Sequence, residues 1–453
     1  MTLLSPKVDM VSKPRLERVA FRTSRLLEFC SEKELTLQTG HPASDWPLVI
    51  AKELVDNALD ACEEANIAPV VTVTVGTNLI EVVDNGPGLP ETTLNGVLDY
   101  TVRASSREAY VSPTRGAQGN ALKTVLAMPY ALAGAEQRGR VEFEAHSKRH
   151  VIEFAVDQIR QEPVIKRSAE PCGRQIGTSV RVHWPVSPRS NLEAARSRFL
   201  QIVDDFTWLN PNLTLTIDWR GDRLTLPETK SDWAKWPPWE PTSPHWYETE
   251  HLQRLIAAYI KADEDAGRPR RTVREFISEF RGLTGTAKQK TVLKVTGLAM
   301  TPIAMLANAD GTFNIGKVTK LLDAMKGNSR PVKSKQLGLI GEKHLRARFE
   351  AHGCAMKSFK YTRTLVKDGI PSVIEIAFAA CQDQSRSRRL VTGVNWSPGI
   401  GNPFRQLGRH GESLDRVLVD QSASADEPVV LFLHMACPRV RYTDRGKSAV
   451  VLS

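Results

Sequence analysis

Between residues 45 and 65, apolar side chains recur at Leu48, Ala51, Leu54, Val55, Ala58, Leu59 and Cys62. That is the spacing of a single helix face, and it predicts an amphipathic helix. Asp45 stands where an N-cap belongs, with Pro47 in the first turn. The period then shortens. VVTVTVG from Val70 and LIEVVD from Leu79 predict strands, the second running into the turn Asp84-Asn85-Gly86-Pro87-Gly88. Further strands are predicted over residues 141–145, 179–184 and 213–219. Helix and strands together predict an α/β sandwich layer. Residues 1–45 read as an arm or strap with a short helical stretch around 24–34.

Trp233, Trp236, Trp239 and Trp246 crowd with prolines into residues 231–247, the composition of a linker packed onto a domain. A helical region follows from about 248 to 349, broken by turns at Gly267-Arg268-Pro269, at 308–311 and at 327–331. Strand patterns return in VIEIAFAA from Val373, RLVTGVNW from Arg389 and PVVLFLHMAC from Pro428. The changes of period divide the chain into an arm (1–45), a first α/β domain (46–230), a linker with a helical domain (231–345) and a second α/β domain (346–453). The fold class is α+β, and no internal repeat interrupts it.

The 453 residues fit roughly two to four domains. Lys and Arg exceed Asp and Glu by ten, which points to a polyanionic partner, most simply nucleic acid; a merely basic soluble enzyme fits the charge equally well. Arg268, Arg270 and Arg271, then Lys288, Lys290 and Lys294, and later Arg386, Arg388 and Arg389 are candidate phosphate contacts, with solvated faces as the equal alternative. The six cysteines form no CxxC pair, so neither a zinc site nor a disulfide framework is predicted, and a reducing cytosol is the simplest compartment. The ten histidines show no metal-ligand spacing. No apolar run is long enough to span a membrane, and the first 22 residues lack a signal-peptide core.

Four motifs carry candidate chemistry. Glu53 and Asn57 are four apart and share a helix face. A carboxylate there can orient and deprotonate water, and an amide oxygen is a hard ligand for Mg²⁺; an exposed polar stripe is the plainer alternative. Asp84, at a strand end, can accept from the exocyclic amine of adenine, and Gly86 and Gly88 permit close backbone approach. Arg115-Gly116-Ala117-Gln118-Gly119-Asn120-Ala121 leads into LKTVLAM, where glycines ahead of a helix expose N–H groups to phosphate. Gly177-Thr178 supplies a small residue and a hydroxyl suited to lining a base pocket.

In order and spacing these motifs resemble the Bergerat ATP fold of the GHKL superfamily, which includes gyrase, a heat-shock chaperone, sensor histidine kinases and MutL. KELVDNALDA, VDNGPGL and SSREAYVSPTRGAQGNALKT are most similar to the B-subunit family of DNA topoisomerase VI. The resemblance implies a GHKL domain, a helix-two-turns-helix-like insert and a transducer-like domain of the ribosomal S5 type. It implies ATP and Mg²⁺ as cofactors, Glu53 as general base, Asn57 as Mg²⁺ ligand and Asp84 as adenine reader. It makes Gly86, Gly88, Gly116 and Gly119 loop glycines, and adds Ser105, Ser106, Arg107, Arg115, Ala117, Gln118, Asn120, Ala121 and Thr178 to the ATP site. Ala121 stands where the family's loop has a third glycine.

SRPVKSKQLGLIGEKHLRARF, GVNWSPGIGNPF and LFLHMACPRVRYTDRGKSAV extend the resemblance. They imply that Lys447, after Gly446, is the switch lysine that contacts the γ-phosphate and acts in catalysis; Ser448 follows where the family often has Glu. The implied function is that of an ATP-hydrolysing B-like subunit, homodimeric on ATP binding, clamped on duplex DNA in the cytoplasm at the nucleoid. Neither a catalytic-tyrosine module nor an acidic metal-binding partner for one is identified, so strand cleavage is expected from an A-like partner. The family's stalk is not found before Ser453, which predicts a reduced B-like protein or another docking route. A stand-alone DNA clamp of MutL, MORC or defence-system kind is the alternative. A GHKL kinase ranks last, since no phosphoacceptor-histidine helix precedes the pocket.

Overall fold

In a computed structural model the described residues are 29–100, 109–115, 121–134, 137–160, 162–185, 192–366, 369–405, 407, 412–443 and 449–451. Helix α1 (Glu32–Thr39) starts where the Ser31 hydroxyl accepts from the Glu34 N–H, and ends at Gly40, whose φ is 73°. The early helix therefore lies later than the expected 24–34, of which 24–28 fall outside the described residues. Helix α2 (Trp46–Glu64) buries each of the seven apolar positions that predicted it. Asp45 precedes it without making a capping hydrogen bond. Its carboxylate instead takes Arg198 at 2.5 and 3.2 Å, so tertiary pairing replaces the local cap.

Strands β1 (Val70–Val75) and β2 (Leu79–Val83) follow, then α3 (Glu91–Leu98), α4 (Ala121–Ala133), β3 (Gly139–Ala145), β4 (Lys148–Asp157), β5 (Glu162–Pro171), β6 (Ser179–His183), α5 (Leu192–Leu209), β7 (Thr214–Trp219) and β8 (Asp222–Leu226). They build one eight-stranded sheet in the order β5-β4-β3-β6-β2-β1-β7-β8. All its pairs are antiparallel except β1 with β7. Alternate residues of β1 and β2 turn into a core shared with α2, α4 and α5. Strands β4, β5 and β8 went unpredicted. β5 and β8 are edge strands with largely exposed, charged side chains, a pattern that discourages edge pairing but hides the strand from hydrophobic periodicity.

Trp233, Trp236 and Trp246 of the strap are buried and Trp239 is 55% exposed, so the cluster serves packing. The Trp233 indole donates to the Leu339 carbonyl at 2.6 Å. Helices α6 (Thr249–Asp265), α7 (Val273–Ser278), α8 (Thr286–Thr296), α9 (Ile315–Gly327) and α10 (Glu342–Ala351) come next. Strands β9 (Lys360–Val366), β10 (Ser372–Ala380), β11 (Arg389–Val394), β12 (Ser397–Pro398) and β13 (Val429–Ala436), with α11 (Leu414–Asp420), form a second sheet in the order β12-β11-β13-β10-β9. No described helix is long and apolar enough to cross a membrane.

The second sheet docks on the first domain through its β11–β12 turn. Ser397 Oγ donates to Asp56 Oδ2 of α2 at 2.7 Å, and Asn210 Nδ2 to the Trp396 carbonyl at 3.0 Å. Gly393 packs on Leu209 so closely that a Cβ would lie 2.5 Å from Leu209 Cδ2. Several expected phosphate contacts are spent on internal pairing. Arg389 pairs with Asp204 and Asp205, both at 2.6 Å, and Arg388 with Asp415 at 2.5 Å. Arg268 and Arg271 both turn to Asp263, at 3.2 and 3.5 Å.

Candidate nucleotide site

Packing of α2 on the sheet leaves one of its faces open. Asn57 is exposed there and Glu53 keeps 31% of its side chain accessible. Asp56 between them points inward and is buried. Its Oδ2 takes the Lys52 ammonium at 2.8 Å, and Lys52 lies 3.8 Å from Glu53 Oε1. Burial works against the Lys52 charge, but Asp56 and then Glu53 outweigh it and hold the ammonium above its usual range. The Lys52–Asp56 pair is a feature to which the four motifs assign no role. The signal is present in the sequence, since Lys52 and Asp56 are themselves four apart.

Pairing of β2 with β6 joins two motifs that lie more than 90 residues apart. Asp84 N donates to the Thr178 carbonyl at 2.9 Å, and Gly177 N to that of Gly86 at 3.0 Å. Asp84 Oδ1 in turn accepts from Gly86 N at 2.8 Å and Thr178 N at 3.1 Å. Burial pushes the Asp84 carboxyl up, against the pull of these N–H groups. Gly177 has φ 76°, and a Cβ there would sit 1.9 Å from the Asp84 carbonyl oxygen, so the approach requires glycine. Asn85 stitches the turn to the start of β1, accepting from Val70 N at 2.8 Å and donating to the Ala68 carbonyl at 2.9 Å. Thr178 is buried beside Asp84, and Gly86 lies under Cys62 of α2.

Ala121 is the first residue of α4, half-buried, with its carbonyl accepting from the Thr124 hydroxyl at 2.7 Å. Gly116, Ala117, Gln118, Gly119 and Asn120 ahead of it lie outside the described residues, as do Ser105, Ser106, Arg107 and Lys447. The flanks of Lys447 are described. Thr443 N donates to the Ala449 carbonyl at 3.0 Å and Tyr442 bridges Val450. Tyr442 is close enough to Lys52 and Asp56 for their charges to act on its hydroxyl, which burial pushes up to about 12.

Arg115 departs from expectation. Its guanidinium has no exposure and is consumed by Asp60 at 2.9 Å, Glu63 at 2.7 Å and Asn210 at 2.5 Å. Lys235 of the strap adds to Glu63 at 2.8 Å. The side chain therefore ties α2 to the end of α5 and, through Glu63, to the strap.

The exposed Asn57 amide presents a hard oxygen of the kind Mg²⁺ takes. A magnesium held by one side chain, nucleotide phosphates and water needs no protein cage. The described residues contain none: no group of three or more His, Cys, Asp or Glu is placed to hold a metal.

No family model matches the chain. The B subunit of type 2 DNA topoisomerase 6 from Archaeoglobus fulgidus is 23% identical over 457 residues, covering 95% of this chain and 70% of that protein. Its namesake from Saccharolobus islandicus is 25% identical over 308 residues, 64% of this chain and 53% of that one. Among solved structures, the B subunit of DNA gyrase from Myxococcus xanthus aligns with TM-score 0.38 and 12% identity over 94% of this chain and 88% of that one. The Aquifex aeolicus MutL ATPase domain complexed with ADP aligns with TM-score 0.33 and 12% identity over 85% and 90%. Nearly the whole length of the chain is thus similar to the B subunit of type 2 DNA topoisomerase 6.

Proposed function

We propose that the chain binds and hydrolyses ATP as the B-like subunit of a type IIB topoisomerase-like complex, closing as a dimer on duplex DNA while an A-like partner cleaves the strands. The observation that supports this reading is the open α2 face bearing Glu53 and Asn57, in a domain where the β2–β6 junction holds Asp84 against Thr178. In this reading residues 46–230 are the nucleotide domain, 231–345 the strap and helical insert, and 346–453 the transducer.

Asp84 Oδ1 is held by two N–H groups, so the remaining acceptor capacity of the carboxylate is directed to the adenine amine. Asn57 and the amides ahead of α4 hold the Mg²⁺ and phosphates, the metal supplying charge neutralisation at the γ-phosphate. Glu53 orients the attacking water and takes its proton. Lys447 contacts the γ-phosphate; Tyr442, five residues before it, feels the charges of Lys52 and Asp56 on α2. The Ser397–Asp56 hydrogen bond then ties transducer position to the helix that carries Glu53. ATP, in contact with both ends, favours the closed arrangement because ADP lacks the group Lys447 touches.

The test is Lys447→Ala. Loss of one charged contact to the transferring group predicts hydrolysis slower by on the order of 10². Sedimentation with a non-hydrolysable ATP analogue should show dimer in the wild type and monomer in the variant, with ADP affinity unchanged. Equal turnover and equal dimerisation in the two proteins would remove Lys447 from the switch.

A further inference from the structure

Two cysteines that no spacing rule connects in the sequence meet in the fold. Cys354 lies in the turn after α10, and Cys381 is the residue that follows β10. They stand directly opposite each other in an isolated antiparallel bridge. The hydrogen bonds that make the bridge run from Ala355 N to the Ala380 carbonyl at 2.8 Å and from Gln382 N to the Gly353 carbonyl at 3.0 Å. The N–H groups of the cysteines themselves turn elsewhere, to the Phe349 carbonyl at 3.0 Å and the Pro428 carbonyl at 2.6 Å. Cys354 and Cys381 are therefore a non-hydrogen-bonded pair, the arrangement that brings facing side chains closest. In such a pair the Cα atoms lie about 4.5 Å apart, inside the roughly 4.4–6.8 Å that a disulfide spans.

Both cysteines are free and buried in one hydrophobic cluster. Burial, and then Cys381 beside it, push the Cys354 thiol up to about 12. The backbone around the pair is pinned: Ala380 N donates to Ser358 Oγ at 3.0 Å, and Arg386 Nη1 to the His352 carbonyl at 2.8 Å. We propose that Cys354 and Cys381 form a reversible intrachain disulfide by exchange with a small-molecule disulfide, closing β9 and β10 into a covalent loop without displacing the backbone. The thiolate of one cysteine attacks a sulfur of the reagent, forming a mixed disulfide and releasing one small thiol. The second thiolate attacks the protein sulfur of that mixed disulfide and expels the other half as a second thiol. The two cysteine protons end on the two released thiols; the protein gives up two electrons and the reagent takes them. Residues 382–387, next to Cys381, are exposed, so local opening of that loop admits the reagent. Burial disfavours the thiolate, which makes the exchange slow. The pair adjoins the contact of α10 with α5, where the Trp208 ring packs 5.2 Å from Phe349 and 6.0 Å from His352. Oxidation therefore stiffens the seat of the first domain on the second.

The experiment is incubation of the folded full chain with oxidised glutathione, followed by peptide mapping without reductant and by thermal melting, on wild type, Cys354→Ser and Cys381→Ser. The wild type should lose the mass of two hydrogen atoms and yield a linked peptide pair carrying Cys354 and Cys381. A covalent loop of this length restricts the unfolded chain, so the oxidised protein should melt about 5–10 °C above the reduced one, a gain that reductant reverses. Each single variant should give no such link and no such gain, its remaining cysteine stopping at the mixed disulfide. A folded wild type that keeps both thiols, or links only other cysteines, overturns the proposal. A link between Cys354 and Cys381 that lowers the midpoint overturns the claim that the backbone need not move. The full gain in Cys354→Ser would assign the stabilisation to another pair and overturn the staple.

Discussion

Glu53→Ala is expected to slow ATP hydrolysis by about 10²–10⁴, the usual contribution of a positioned general base, while Mg-ATP stays bound. Glu53 is half-exposed, and the charged group nearest it is Lys52 at 3.8 Å. Truncation therefore breaks no buried pair, and the thermal midpoint should hold, as for a surface change of about 0.5 kcal/mol or less. Asp56 is not placed to take over the role, because it is buried and its Oδ2 holds Lys52 and Ser397 at 2.8 and 2.7 Å. Asn57, Asp84 and the loop amides remain to hold the nucleotide. Phosphate release and nucleotide affinity measured on one preparation decide the matter: wild-type turnover in Glu53→Ala would take the base role from this residue.

Arg115→Met should have the largest effect on stability. The guanidinium has no solvent exposure and meets Asp60 and Glu63 at 2.9 and 2.7 Å. Removing one member of a buried ion network leaves its partners desolvated and short of charge, at a cost of about 3–5 kcal/mol. Lys235, at 2.8 Å from Glu63, offsets part of the loss. The network also sets an acid limit. Burial works against the Glu63 charge, but Arg115 and Lys235 outweigh it and bring the carboxyl from 4.5 to about 2. A depressed carboxyl stabilises the folded state fully above its unfolded value, and that stability is lost as pH falls through the folded one. Wild-type stability should therefore fall between pH 4.5 and about 2 as this group protonates, and Arg115→Met should show a shallower fall there. Urea titrations across that range measure both. A variant of wild-type stability that no longer binds ATP would return Arg115 to the pocket.

Helix α2 was legible because its core face is continuous, and β1, β2, β6, β7, β10, β11 and β13 because their apolar runs are short and bounded. The charged alternation of β5 and β8 concealed them. The position of Arg115 beside the glycine loop gives no sign of its internal partners. Its true partners, Asp60 and Glu63, lie over 50 residues upstream on α2, yet with Asp56 they form an acidic stripe at helical spacing that could have betrayed a buried cation. No local signal announced Ser397, which meets Asp56 from 341 residues away. Glu375, inside an apolar run, is wholly buried and accepts from the N–H groups of Ile340 and Gly341 at 2.9 Å, pairing that only the assembled fold supplies. Of the basic runs, Arg268, Arg271, Arg388 and Arg389 are drawn into ion pairs by carboxylates that only the assembled fold brings near.

The central claim is a nucleotide site that recognises adenine through Asp84. Calorimetric titration with Mg-ATP and Mg-GTP, on wild type and Asp84→Asn, tests it most directly. Asn keeps an oxygen for the N–H groups of Gly86 and Thr178, so the junction should survive. It loses the charged acceptor, and such hydrogen bonds contribute about 1.5–3 kcal/mol, or roughly 10- to 150-fold in affinity. The account predicts saturable ATP binding by the wild type, little GTP binding, and a drop of that size for ATP in Asp84→Asn. Equal ATP affinity in the two proteins, or no saturable ATP binding by the wild type, would contradict it.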